Sequence, residues 1–435
     1  MPTSRRTRIA ALAILTPLVL LAILVVMLVV RGGIGLDAGF SRDIARTTLT
    51  DPARIERGRY LALAGNCSSC HTTPNGAYLA GGVAFHTDFG TLYSTNISPD
   101  DATGIGRWTA DEFLRSMRHG IRANGEHLYP AFPYTAFTRM TDEDLLDLWA
   151  YLRSVPPATS DAPDNELRFP FRLRPLLALW KGLYFRPGEY VADASQDDTW
   201  NRGAYLVNGL AHCGECHSPR NALGAVDEQK ALSGGRYLDR VPGGAIRPWS
   251  APNLTATTTG LGDWTSDHLI DYLGSGRNEF LETFGPMNEV IMNSTRYLTR
   301  ADLGAMAHYL KSVRPIETAT YSPADRSVLG MGRTQYNLHC GTCHLPTGAG
   351  DPEMAPRIGA GSLITRTADP ASLINVILYG PELADHETPS AWRNPMQEFQ
   401  YELIDEEIAA LATFLRHSWG NGAGPVTADQ VAKQR

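Results

Sequence analysis

The sequence predicts an all-α chain, three tandem small helical domains behind an N-terminal transmembrane helix. Three observations predict it. A Cys-x-x-Cys-His pentapeptide occurs three times in the 435 residues. Each copy is followed by an amphipathic run with apolar residues at three- and four-residue steps, the period of a helix with one buried face. Residues 9–30 carry no charge; as a helix they would span about 33 Å, enough for a bilayer core.

The pentapeptides are Cys67-Ser68-Ser69-Cys70-His71, Cys213-Gly214-Glu215-Cys216-His217 and Cys340-Gly341-Thr342-Cys343-His344. Cysteines at i and i+3 share one side of a helical turn. From there both thiols can bond to the two vinyl groups of one porphyrin. The histidine after the second cysteine then falls beneath the iron as proximal ligand. One Cys-x-x-Cys alone also suits a zinc knuckle or a dithiol redox pair. Three copies, each followed by His, leave those readings little room, and they use all six cysteines of the chain. The expected cofactors are three covalently bound haem c groups. Cys67, Cys70, Cys213, Cys216, Cys340 and Cys343 would hold them, with His71, His217 and His344 on the iron.

The apolar run follows Arg5, Arg6 and Arg8. The positive-inside rule therefore keeps the N-terminus cytoplasmic. A cleaved signal peptide is the alternative, but its apolar region is usually about 7–15 residues and ends at a small-x-small site. Here Arg31-Gly32-Gly33 follows instead. The expectation is a retained anchor over 1–35 in the bacterial inner (plasma) membrane, with the haem domains facing the periplasm.

The larger repeat sets the domains at 50–155, 199–314 and 327–420. A helix-like run precedes each motif, and the first two are alike: Gly58-Arg59-Tyr60-Leu61 and Gly203-Ala204-Tyr205-Leu206. A middle helix recurs over 108–120, 264–276 and 369–380, each ending on a glycine suited to a C-cap. A closing helix begins at Thr141, at Thr299 and near Ile404; the first has an N-cap threonine and acidic residues in its first turn. Helix, haem turn, middle helix and closing helix make a small all-α cytochrome c domain.

Residues 156–198 form the first linker. In it Arg168-Phe169-Pro170-Phe171-Arg172-Leu173-Arg174-Pro175-Leu176-Leu177-Ala178-Leu179-Trp180 interleaves basic and apolar side chains. That pattern suits a strap for a membrane surface or partner; it equally suits a linker packed on the chain's own domains. The net charge of −7 argues against a nucleic-acid partner. No Ser/His/Asp arrangement, phosphate-binding glycine loop or flavin fingerprint is present.

An electron-transfer haem usually carries a sixth ligand, and Met raises its potential. Met287 lies 70 residues after His217, on a loop past the middle helix. Met396 follows His344 by 52 residues in the same relative place. In the first domain, eleven residues on from Gly120 is Ala131, beside Phe132, where the same count from Gly276 reaches Met287. Phe cannot bind iron. Met117 and Met140 are the remaining sulfur ligands, with His119 and His127 behind them, or an open site. His212 and His339 are expected to pack beside the haems. His86, His268, His308, His386 and His417 read as surface or satisfied residues.

At this point the chain resembles the three-haem cytochrome c subunits of membrane-bound periplasmic dehydrogenases. The resemblance runs from Arg57 to Gly420. Its carriers are the three motifs, Asn208-Gly209-Leu210-Ala211-His212 with Ser218-Pro219-Arg220-Asn221, Gly285-Pro286-Met287, and Ser418-Trp419-Gly420-Asn421. Leu128-Tyr129-Pro130-Ala131-Phe132-Pro133-Tyr134 also matches, although many members carry Met where Phe132 stands. The resemblance implies an electron-transfer subunit. Its catalytic dehydrogenase partner, with a molybdenum, flavin or quinone cofactor, oxidises an alcohol, sugar acid or aldehyde. The acceptor implied is ubiquinone or a terminal oxidase. The branch beside molybdenum dehydrogenases commonly has Met at the Met117 position, which favours Met117. Two rival readings are a haem enzyme working at an under-ligated first haem and a free-standing respiratory shuttle.

Overall fold

The computed structural model describes residues 16, 23–32, 49–240, 244–318, 322–384 and 396–435. In chain order the first unit comprises α1 (Pro52–Ala64), α2 (Cys67–His71), β1 (Ala84–Thr87), β2 (Gly90–Tyr93), α3 (Ala110–His119), α4 (Tyr134–Phe137) and α5 (Asp142–Ser154). Next come β3 (Glu166–Leu167) and α6 (Leu176–Tyr184). The second unit has α7 (Asp198–Tyr205), α8 (Gly214–His217), β4 (Gly235–Arg240), β5 (Ile246–Ala251), α9 (Ser266–Ser275), α10 (Met287–Asn293) and α11 (Arg300–Ser312). The third has α12 (Arg326–His339), α13 (Gly341–His344), α14 (Leu363–Arg366), α15 (Ala371–Tyr379), α16 (Asp405–His417) and α17 (Ala428–Ala432).

The fold is mostly helical, as expected, but not purely so. The all-α expectation missed two small antiparallel sheets, β1-β2-β3 and β4-β5. Each hairpin lies between a haem turn and the next helix, where the chain must fold back over the same short distance. In the second hairpin Tyr237 pairs with Trp249 and Asp239 with Arg247, so side chains alternate across its two faces. The predicted linker is also more than a tether. Its β3 pairs with β2 through Glu166 and Thr91, and its helix α6 packs on the first unit. The reading of a segment packed on its own domain is what the geometry favours.

A glycine makes the central contact of each unit. A Cβ on Gly58 would lie 1.9 Å from the carbonyl oxygen of Asp147, one on Gly203 2.0 Å from that of Ala305, and one on Gly332 2.1 Å from that of Ala410. The helix before the haem turn and the closing helix therefore touch backbone to backbone, at α1–α5, α7–α11 and α12–α16. No other residue type permits that approach. Thr109 and Thr265 cap α3 and α9, each accepting from the backbone N–H three residues on. Gly120 and Gly276 close those helices at φ 62° and 79°, the left-handed C-cap read from the sequence. Thr141 caps α5 as expected, and Thr299 caps α11 in the same way.

The first two units share one apolar core; Leu61, Phe113, Trp149, Leu206, Trp264 and Met306 all belong to it. Two tyrosines lock them reciprocally. Tyr60 of α1 donates to Asp302 of α11 at 2.6 Å and accepts from the Thr299 N–H at 3.2 Å. Tyr205 of α7 donates to Asp144 of α5 and accepts from the Thr141 N–H. The third unit has its own core around Tyr336, Ile374, Leu411 and Phe414. Thr334 stands two residues after Gly332, where the other units have tyrosine, and its hydroxyl bonds back to the Gly330 carbonyl within α12.

Among the described residues no helix is long and apolar enough to cross a membrane. The expected anchor over 1–35 lies mostly outside those residues; its described part, residues 16 and 23–32, is helical.

Candidate functional site

Each pentapeptide forms a single helical turn at the end of the unit's first helix. The turns span Cys67–His71, Gly214–His217 and Gly341–His344. The two thiols of each therefore lie on one side, as the i, i+3 spacing requires. Five of the cysteines are half-buried; Cys216 reaches solvent. Enough protein surrounds them that desolvation pushes Cys67, Cys70, Cys213 and Cys340 up to about 12 and Cys216 to about 11. These are neutral thiols beside apolar walls. Among the described residues no group of three or more His, Cys, Asp or Glu side chains is placed to hold a metal ion. The zinc reading has no ligand set there.

The histidines share one geometry. His71 Nδ1 lies 2.6 Å from the Thr95 carbonyl oxygen, His217 Nδ1 2.8 Å from that of Pro252, and His344 Nδ1 2.9 Å from that of Pro356. A carbonyl only accepts, so each Nδ1 carries the proton. Each Nε2 then holds the free lone pair. Desolvation pulls all three imidazoles below their ordinary pKa, against the opposing pull of the carbonyl. Neutral imidazole of fixed tautomer and fixed ring plane is the form that binds iron, and such outer hydrogen bonds orient metal ligands. Two thiols on one wall and an oriented Nε2 beside them are the donor set that a covalently bound haem needs.

Sequence reasoning missed the three carbonyl residues. A signal existed for two of them. Thr95-Asn96-Ile97-Ser98 and Pro252-Asn253-Leu254-Thr255 are one repeated loop. Asn96 accepts from the Ser98 N–H and Asn253 from the Thr255 N–H, both at 2.8 Å. Each asparagine also donates to a carbonyl beyond the closing helix, Ala158 or Ile316. The loop that presents the carbonyl is thereby tied to its unit.

The loop after the middle helix differs between the first two units. The Gly120 carbonyl accepts from the Leu128 N–H, and that of Gly276 from the Thr283 N–H, each at 2.7 Å. Four residues past those donors come Phe132 and Met287. The return loop of the first unit is one residue longer, so Phe132 and not Ala131 stands where Met287 stands. Met287 opens α10 and packs, half-buried, on the shared core; Met396 packs on the third unit's core. Met117 on α3 and Met140 before α5 are both buried in the first unit. His119 and His127 are taken up by a neighbour: Lys181 donates to the His119 carbonyl at 2.7 Å and approaches His127 Nδ1 at 3.0 Å. His212 stacks edge-on against Phe137, and His339 against Phe399. His268 pairs with Glu279, His308 with Asp197, and His417 accepts from the Ala324 N–H. His386 lies outside the described residues.

The sites are brought together in two ways. Thr135 of the first unit donates to Glu215 inside the second motif at 2.8 Å. Asn293 of α10 donates to Ser69 inside the first motif at 2.9 Å. The second and third units meet beside Met287, at the stretch that follows the third unit's middle helix. Phe284 bridges to Leu383, and Asn288 donates to the Glu382 carbonyl at 2.6 Å.

Repeated helix crossings over turns that carry two thiols and an oriented imidazole define a c-type cytochrome. The cytochrome c family model matches residues 55–156 and 331–419. The chain is 39% identical over 411 residues to the cytochrome c subunit of the quinone-type alcohol dehydrogenase of Gluconacetobacter polyoxogenes, covering 90% of this chain and 86% of that one. It is 38% identical over 413 residues to the fructose dehydrogenase cytochrome subunit of Gluconobacter japonicus, covering 88% and 82%. It is 36% identical over 405 residues to the gluconate 2-dehydrogenase cytochrome c subunit of Pantoea cypripedii, covering 88% and 90%. The chain belongs to the family of cytochrome c subunits of membrane dehydrogenases.

Proposed function

We propose that the chain is the electron-transfer subunit of a periplasmic dehydrogenase, with one covalent haem c at each of three motifs. It would take electrons from a catalytic subunit that oxidises an alcohol, sugar acid or aldehyde. It would deliver them to ubiquinone or a terminal oxidase from the outer face of the bacterial inner membrane. The observation that carries the reading is the threefold recurrence of one donor set, two thiols and a histidine whose Nδ1 is spent on a carbonyl.

When bound, haem c supplies reversible one-electron redox chemistry. The residues do the rest. Cys67 and Cys70, Cys213 and Cys216, and Cys340 and Cys343 would fix the ring by thioether bonds. His71, His217 and His344 would each offer Nε2 to the iron. Met287 and Met396 are the proposed distal ligands of the second and third sites, and Met117 of the first. Each would supply an uncharged thioether donor, which raises the potential of the site it serves. The Thr135–Glu215 and Asn293–Ser69 bonds, which join each of the first two motifs to the other unit, support transfer between those sites. The Phe284–Leu383 bridge supports transfer between the second and third.

Phe132 at the Met287 position motivates a second reading, chemistry on a small ligand at an open first site. Carbon monoxide separates the two: binding to the reduced protein favours the open site, and a fully low-spin protein that binds none removes it. The main reading is tested by a pyridine haemochrome assay on protein from a host that matures cytochromes. Three haems per chain are expected, and two or fewer would refute it. Recovery of a molybdenum, flavin or quinone subunit with the tagged chain from native membranes is the matching expectation for the partner.

A further inference from the structure

The helical stretch 23–32 and α6 lie against each other with no side chain between them. A Cβ on Gly182 would lie 2.2 Å from the Leu28 carbonyl oxygen, and one on Gly32 1.8 Å from that of Ala178. Both helices turn apolar side chains outward: Leu24, Val26, Met27 and Val30 on one, Leu176 and Leu183 on the other, each between 45% and 60% exposed. An apolar face shared by two helices is costly in water and natural in the interfacial layer of a bilayer. It is continuous with the uncharged run of residues 9–30.

Beside this helix pair lies a cavity of about 230 Å³, lined in part by Arg31, His119, Lys181 and Arg186. Its lining contains no carboxylate. Lys181 is 1% exposed, and its three protons are spent on the carbonyls of His119 and Gly120, at 2.7 Å each, and on His127 Nδ1 at 3.0 Å. Burial pulls this amine down to about 7, so the positive charge of the wall rests on Arg31 and Arg186, and Lys181 offers it no further donor. Arg31 and Arg186 are exposed, and neither forms an ion pair among the described residues. The nearest acidic residue in sequence, Glu189, is engaged by Arg118 at 3.0 Å.

We propose that this cavity binds the phosphate headgroup of an anionic phospholipid, held by Arg31 and Arg186, with its acyl chains along the apolar faces of 23–30 and α6. Guanidinium is suited to phosphate because its fork of N–H groups meets two oxygens at once. Paired basic side chains beside a membrane-inserted helix also favour anionic over zwitterionic lipid. The site fixes how the first unit stands on the bilayer, since Lys181 ties α6 to the end of α3.

The test uses the full-length, haem-loaded protein in detergent micelles, with native mass spectrometry as readout. Phosphatidylglycerol and phosphatidylcholine of the same acyl chains are titrated in parallel. One tightly held phosphatidylglycerol is expected, with phosphatidylcholine weaker by about tenfold or more. Arg31→Ala with Arg186→Ala should bring the two lipids level at unchanged haem content, and Arg186→Lys should keep part of the preference. If the double variant loses haem, Arg186→Ala alone, at an exposed side chain, gives the same comparison. Equal binding of the two lipids by the unaltered protein overturns the proposal. So does a preference that survives the arginine substitutions, or displacement of the lipid by inorganic phosphate at equal concentration.

Discussion

The first and second units are built from the same parts, yet they differ where a sixth ligand would stand. Both have a glycine at the helix crossing, a histidine bonded to a loop carbonyl, a threonine-capped closing helix and a tyrosine reaching into the other unit. One has Met287 on its distal loop and the other Phe132. The proximal frame is over-determined by backbone contacts and so repeats. The distal position hangs on one loop residue and is free to change. That division tells which substitutions should act alike in the two units and which should not.

The helix crossing should give the largest effect, and an equal one in both units. Gly58→Val and Gly203→Val each drive a branched side chain into a carbonyl oxygen about 2 Å away. The helices must part, at about 3 kcal/mol or more. The expected outcome is loss of the haem of the altered unit, read by haemochrome content and thermal melting. Retention of three haems by either variant would mean that the crossing can relax and that the units are less alike than their geometry.

The distal position should separate the units. Met287→Ala is expected to turn the second site high-spin, to abolish its sulfur-to-iron charge-transfer band and to lower its midpoint potential. Phe132→Ala should leave the ligation of the first site unchanged if Met117 serves it. Met117→Ala should then mimic Met287→Ala, whereas Met140→Ala should cost stability alone. Low-spin spectra in Met117→Ala would transfer the role to Met140 or a histidine.

How much of this could be read beforehand follows the same division. The haem turns, the Gly120 and Gly276 caps and the Thr141 cap were legible because each depends on residues within one helical turn. The equivalence of Phe132 and Met287 was nearly legible; a plain count missed by one, because a hairpin loop gained a residue that no local pattern marks. Pro356 was hidden because it acts through a backbone carbonyl, which any residue supplies; Thr95 and Pro252 act in the same way, and only the repeated loop that carries them left a signal. The two sheets escaped because their strands are short and lie between stronger helical signals. Lys181 was invisible as a buried group, since its partners are carbonyls brought to it by tertiary folding.

The reciprocal tyrosines offer the next test. Tyr60 and Tyr205 are equivalent, but their acceptors are not. Asp302 also receives Arg202 through two bonds of 2.8 Å, whereas Asp144 has Tyr205 without a direct arginine bond among the described residues. Asp302→Asn should therefore strip a half-buried arginine of its partner, at about 2 kcal/mol. Asp144→Asn keeps an acceptor for Tyr205 and should cost less. Guanidinium melts of the two variants would show it, and equal losses would mean that Arg202 contributes nothing.

The smallest effect expected is on pH dependence, and it has opposite sign at the two aspartates. Burial alone would raise Asp302, but the Arg202 and Tyr60 hydrogen bonds outweigh it and hold the carboxyl below its ordinary 3.8. The folded state then binds fewer protons than the unfolded one. This contribution is complete above 3.8 and fades as pH falls through the folded value. At Asp144 burial outweighs the Tyr205 bond and lifts the carboxyl above 3.8. Here the folded state binds more protons, and stability declines as pH rises from 3.8 to the folded value. Melting midpoints measured from about pH 3 to pH 7 should thus lose part of their acid sensitivity in Asp302→Asn and gain some in Asp144→Asn. Shifts of the same sign in both variants would show that the two clasps are electrostatically equal. The arginine would then be an ornament of one unit and not the reason the pair is asymmetric.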